Sequence, residues 1–101
     1  APHSHAAAAA AVALARERSV AAIMKGALHT DEIMAAAVCR ETGIRTERRI
    51  SHVFVIDTPA YDKLLFITDA AINITPSLEE KRDIVQNAVD LARSLGVDQP
   101  K

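Results

Sequence analysis

From residue 77 onward, apolar positions recur at helical spacing, with Leu78, Val85, Ala88, Leu91, Ala92 and Leu95 on one stripe. Ser77 and Glu80 have the spacing of a capping box, Pro76 restricts the entry, and Gly96 supplies a stop. The pattern predicts a helix over 77–95. Residues 50–56 are rich in β-branched side chains and alternate little beyond Ser51 and His52. Such a run predicts a strand covered on both faces. Residues 64–68 predict a second strand, separated from the first by a turn at 58–62. So short a connection makes the two antiparallel neighbours, because parallel pairing needs a longer crossover.

The first half is less sharply punctuated. Residues 4–18 are rich in alanine and lack an internal breaker, which predicts a helix. Val12 and Leu14 give it only a thin apolar face, so it must pack closely through its alanines. The apolar run at 20–24 predicts a short buried strand ended by Lys25-Gly26. Thr30 is a candidate cap for a helix reaching about residue 42. Ile33, Met34, Ala37 and Val38 fall on one face of it, and Gly43 sits where a left-handed stop is favoured. The order helix, strand, helix, strand, strand, helix indicates an α/β fold, layered α/β/α with a mixed sheet.

With 101 residues, the chain suits one small domain or a piece of a larger one. Apolar residues make up 50%, enough to build a core. A net charge of −1 creates no global field for drawing in nucleic acid or an anionic membrane. Phe54, Phe66 and Tyr61 are too few aromatics for a base-stacking platform, so neither nucleic acid nor membrane is expected as a partner. No apolar stretch approaches the ~20 residues that span a bilayer. The alanines at 6–11 lack a basic leader and run into Arg16, Glu17 and Arg18, which fits a helix rather than a signal peptide. The chain opens Ala-Pro-His without an initiator methionine, an indication of a processed or partial chain.

Cys39 has no partner for an internal disulfide, so a reducing cytoplasm is the expected compartment. Its place near an apolar helix face favours burial over nucleophilic chemistry. His3 and His5 form a weak His-x-His pattern without further ligands at a recognisable spacing, so no metal site is expected.

Three segments carry candidate chemistry. Met24-Lys25-Gly26-Ala27-Leu28-His29-Thr30 joins a predicted strand to a helix start, where free N–H groups favour an anion. Lys25 adds positive charge, and Gly26 allows close approach to the backbone. The segment lacks the spacing of a P-loop, and an ordinary connecting loop remains the simpler reading. Arg45, Arg48 and Arg49 are suited to holding coenzyme phosphates through charge-assisted bonds, or form a solvated loop that Glu47 partly balances. Asp69 and Asn73 follow a predicted strand, at the end where open α/β sheets bind ligands. There Asp69 can orient a ligand, accept a proton or cap a turn.

These segments also resemble a known family. Thr68-Asp69-Ala70-Ala71-Ile72-Asn73-Ile74-Thr75-Pro76, followed by Asp83-Ile84-Val85-Gln86-Asn87-Ala88, is similar to a run in the phosphate acetyl/butyryltransferases. Met24-Lys25-Gly26-Ala27-Leu28-His29-Thr30-Asp31-Glu32-Ile33-Met34 resembles another, with Ala27 where relatives often carry serine. Gly43-Ile44-Arg45-Thr46-Glu47, with Ile50-Ser51-His52-Val53 beyond it, resembles butyryl-type relatives, with Glu47 in place of a glycine. Residues 31–38 lack the arginine that acetyl-specific relatives tend to carry, which leaves both acyl chains open.

The resemblance implies part of a two-domain α/β protein related in architecture to isocitrate and isopropylmalate dehydrogenases. Residues 1–45 would end one domain and residues 46–101 begin the next, with a cleft between them. The implied reaction converts acyl-CoA and phosphate to acyl phosphate and coenzyme A. It needs no cofactor beyond these substrates, and a homo-oligomer is expected. Lys25, Gly26, His29 and Thr30 are the first choice for substrate contacts, and Arg48, Arg49, Asp69 and Asn73 the second. The catalytic base is expected in a later segment, so the isolated chain is expected to be inactive. A dehydrogenase or a related acyl-CoA enzyme is the rival enzyme, the missing Gly-x-Gly-x-x-Gly disfavouring a classical dinucleotide site. A noncatalytic α/β binding or assembly module is the rival of another class, favoured by the thin first helix and unpaired strand edges.

Overall fold

The computed structural model describes residues 3–101. Five elements follow one another: α1 (Ser4–Arg16), α2 (Thr30–Val38), β1 (Val53–Thr58), β2 (Tyr61–Thr68) and α3 (Leu78–Ser94). They fall into two compact units, Ala1–Glu47 and Arg48–Lys101.

In the first unit, His3 caps α1, its Nδ1 accepting the N–H of Ala6 at 3.1 Å. The helix stops at Arg16, short of the predicted 18, because Arg18 takes a left-handed conformation with φ 60°. The Ser19 N–H then returns to the Leu14 carbonyl at 2.9 Å, which satisfies the frayed end. Ala8 and Val12 are buried, and α2 packs against α1, as a thin alanine-lined face demands. Ile33, Met34, Ala37 and Val38 are each half-buried. Glu32 ties the two helices together. Its Oε1 accepts from the Ser4 hydroxyl at 2.7 Å and lies 3.1 Å from His5 Nδ1.

Four further expectations fail in this unit. Residues 20–24 form no strand, and Met24 is 96% exposed. An extended segment needs a neighbour to bond its N–H and C=O groups, and the described residues before 48 contain no other strand. Thr30 is the first helical residue rather than the cap; His29 holds that position without a side-chain bond. The helix also ends at Val38, not near 42. Gly43 is not left-handed. It is needed because a Cβ there would press on the carbonyl oxygens of Ala37, Cys39 and Ala36.

The second unit is a hairpin with a helix packed on β2. Antiparallel pairing sets Val53 opposite Thr68 and Thr58 opposite Tyr61, so Pro59 and Ala60 alone make the turn. An irregularity between Ile56 and Thr58 absorbs the offset. The strands are two and antiparallel, so the described residues contain no mixed sheet. The expected cover on both faces is also missing: Phe54, Val55, Leu64, Leu65 and Ile67 are exposed.

Both halves of the capping box open α3, with Glu80 N–H to Ser77 Oγ at 3.2 Å and Ser77 N–H to Glu80 Oε2 at 2.8 Å. Gly96 closes the helix at φ 93°, a region closed to most other residues. Its inner face is Ile84 and Ala92, with Ala88 and Leu91 beside them. Leu78, Val85 and Leu95, predicted for the core stripe, point outward instead. The buried line follows the narrow contact with β2, so a wide apolar stripe is only partly used.

Candidate functional site

Thr68 ends β2, and the chain then turns around the carboxylate of Asp69. Asp69 Oδ1 accepts the N–H groups of Ala71 and Ile72, each at 3.2 Å, and of His52 at 3.3 Å. Its Oδ2 accepts the Asn73 N–H at 3.1 Å and also the Asn73 side-chain amide. Thr68 Oγ1 donates to the His52 carbonyl at 2.7 Å, locking the same two segments. Asp69 is therefore a turn-organising carboxylate, saturated with donors.

That arrangement sets its charge. Partial burial pushes the Asp69 carboxyl upward, but the Ala71 N–H, the Asn73 amide and the N–H groups of Ile72 and Asn73 together outweigh it. The result is a fall from the ordinary 3.8 to about 2. A carboxylate so firmly ionised is a weak proton acceptor at neutral pH, because a general base works best with a pKa near the working pH.

Asn73 passes this order outward. Its Nδ2 donates to the Ile50 carbonyl at 2.9 Å, and its Oδ1 accepts from Arg49 Nε at 2.8 Å. Arg49 Nη1 stands 3.5 Å from Glu80 Oε1, in the first turn of α3. Arg49, Asn73, Pro76 and Glu80 help line an open depression of about 260 Å³. Arg48 points to α3, donating to Asp90 Oδ2 at 2.6 Å and Asn87 Oδ1 at 3.3 Å. The hydrogen bond from Arg48, followed by that from Gln86, holds Asp90 below the usual carboxylate range. Of the predicted residues, Arg49, Asp69 and Asn73 thus form one bonded network, with Arg48 on an adjoining one.

Sequence reading missed Glu80 as the partner of Arg49. It also missed Asp83, Asn87 and Asp90 as anchors of residues 48–51. Their spacing of four and three is legible as a polar line on α3, but nothing local in it names the partners at 48–51.

Lys25, Gly26, His29 and Thr30 belong to the first unit. Lys25 Nζ donates to the carbonyls of Leu28 at 2.9 Å and Gly26 at 3.3 Å, folding its charge onto its own loop. A Cβ on Gly26 would meet nothing within 4 Å, so no crowding explains that glycine. The first turn of α2 carries Asp31 and Glu32, which oppose an anion at the helix start. Cys39 is half-buried just past α2, where the Thr42 hydroxyl, then the Thr42 and Glu41 backbone, pulls its thiol below the ordinary range. Among the described residues, no cluster of three or more His, Cys, Asp or Glu is arranged to hold a metal ion. None of their helices is long and apolar enough to cross a membrane.

Comparison with known proteins decides the family. The family model described as phosphate acetyl/butaryl transferase matches residues 3–101. The chain belongs to this family. A phosphate acetyltransferase of Rhizobium meliloti is 62% identical over 100 residues, 99% of this chain and 32% of the relative. A phosphate acetyltransferase of Rickettsia prowazekii is 62% identical over 98 residues, 97% of this chain and 28% of the relative. A phosphate butyryltransferase of Clostridium acetobutylicum is 40% identical over 100 residues, 99% of this chain and 33% of the relative. This member of the phosphate acetyl/butyryl transferase family thus spans about a third of the length of the curated relatives it matches.

Proposed function

We propose that the chain is a segment of a phosphate acyltransferase, which exchanges a short acyl group between coenzyme A and inorganic phosphate. The observation that carries this reading is the family match across residues 3–101, together with relatives named for that transfer. In the direction of acyl-CoA synthesis, a thiolate attacks the acyl phosphate carbonyl, cationic and N–H donors stabilise the oxyanion, and its collapse breaks the acyl C–O bond and releases phosphate. Arg48 and Arg49 contact substrate phosphates, and Lys25, Gly26, His29 and Thr30 supply further contacts. Asp69 and Asn73 hold Arg49 in place rather than moving a proton. Residues 1–45 complete one α/β domain and residues 46–101 begin another, on the plan of the isocitrate and isopropylmalate dehydrogenases. The working protein is a homo-oligomer.

A polypeptide of the relatives' length containing this segment should form acyl phosphate from acetyl-CoA or butyryl-CoA plus phosphate. Acetyl-CoA is the first to try, since the relatives at 62% identity are named phosphate acetyltransferases. Inactivity with both thioesters would sink the reading. The isolated 101-residue chain should be silent, and clear turnover by it would show that no further segment is needed.

The exposed apolar hairpin favours a second reading, a noncatalytic binding or assembly module. Size-exclusion chromatography with and without coenzyme A separates the two. A constant oligomer indifferent to the ligand, without turnover, would support the module.

A further inference from the structure

Asp83, Asn87 and Asp90 lie four and three residues apart and share one face of α3. All three end on residues 48–51. Asp83 Oδ2 accepts the Arg49 N–H at 2.9 Å, and Asp90 takes the Arg48 guanidinium. Asn87 alone works in both directions. Its Nδ2 donates to the Arg49 carbonyl and to Ser51 Oγ, each at 2.8 Å, while its Oδ1 accepts from Arg48 Nη1.

The chemistry of that position calls for an amide. A carboxylate would serve the arginine but has no hydrogen for the carbonyl. An ammonium would serve the carbonyl and the hydroxyl but would repel Arg48. Only a side chain with a donor and an acceptor fixes the backbone at Arg49 and the guanidinium of Arg48 together. Two adjacent arginines otherwise spend binding energy on being ordered when they meet an anion.

We propose that Asn87 is a positioning residue: it holds Arg48 and Arg49 ready for the phosphate groups of the coenzyme A substrate. The proposal rests on the reading of the two arginines as phosphate contacts.

The test uses the full-length polypeptide with Asn87→Ala, Asn87→Asp and Asn87→Gln, measuring KM for acyl-CoA, kcat and Tm. Asn87→Ala and Asn87→Asp should raise the KM for acyl-CoA by about tenfold, with kcat within about twofold of the parent. Asn87→Gln keeps both functions of the amide and should recover part of the loss. Asn87→Asp matches the parent in size, so the comparison stands even where Asn87→Ala does not fold. A lowered Tm with unchanged KM in Asn87→Asp would leave Asn87 a structural tie and overturn the positioning role alone. A parent protein that neither binds coenzyme A nor turns over would overturn the reading beneath it as well.

Discussion

The candidate site residues of the two units are held in opposite ways. In Arg48–Lys101, Asn73, Arg49 and Asn87 bond across 23 to 38 residues of sequence and Asp69 across 17, tying a loop, a strand end and a helix together. In Ala1–Glu47, Lys25 bonds only to carbonyls one and three residues away. The first pattern fixes side chains before any ligand arrives. The second leaves a lysine on a local loop, from which an incoming anion can draw it at small cost. A preorganised polar network and a locally held lysine are thus built into a single short chain.

The strongest way to break this contrast is to remove Asp69. Five donors lose their acceptor in Asp69→Ala: four backbone N–H groups and the Asn73 amide. Water reaches part of this turn, so the expected loss is about 3 kcal/mol rather than the sum of five bonds. Tyr61 is the lone tyrosine, tryptophan is absent, and Tyr61 lies in β2. Its fluorescence during urea unfolding therefore reports the second unit. Acid offers the same test without mutation. The folded pKa of Asp69 is depressed, so its contribution is full above about pH 4 and fades as pH falls toward about 2. Asp69→Asn should flatten the stability slope in that window. An unchanged slope would mean that the turn does not depend on the carboxylate charge.

How much of this was legible in the sequence follows from where the forces act. The capping box and the closing glycine of α3 were readable because each is a local rule satisfied within a few residues. The hairpin was readable from its short connection, although its strands begin and end elsewhere because pairing register depends on both partners. The strand expected at 20–24 failed for the same reason. An apolar run looks like a strand, but nothing in the run reports whether a neighbour exists. Asp69 and Asn73 were found from their place after a strand. Glu80 and Asn87 were not, because their partners lie 31 to 38 residues away.

A second variant attacks the first unit alone. Gly43→Ala would set a methyl group 2.5 Å from the Cys39 carbonyl oxygen and 2.9 Å from that of Ala36. These are backbone atoms that cannot swing aside, so a loss of about 2 kcal/mol is expected. Helical circular dichroism should record an earlier unfolding phase while the Tyr61 transition stays in place. Were both probes to shift together, the two units would unfold as one cooperative body, and the contrast drawn from their bonding would not extend to their stability.

The smallest effect on stability should come from Lys25→Met. Its two bonds are solvent-exposed and local, so folding should change by no more than about 0.5 kcal/mol. Binding is where the adaptable loop must declare itself. If Lys25 leaves the Leu28 carbonyl to meet a substrate anion, losing that charge-assisted bond should raise the KM for acyl-CoA or phosphate in the full-length protein about tenfold. The rise should shrink in high salt, since an exposed lysine acts chiefly through its charge. A KM that does not move would reduce Lys25 to a staple of its own loop. Substrate recognition within this chain would then rest on the second unit, where the arginines are already held.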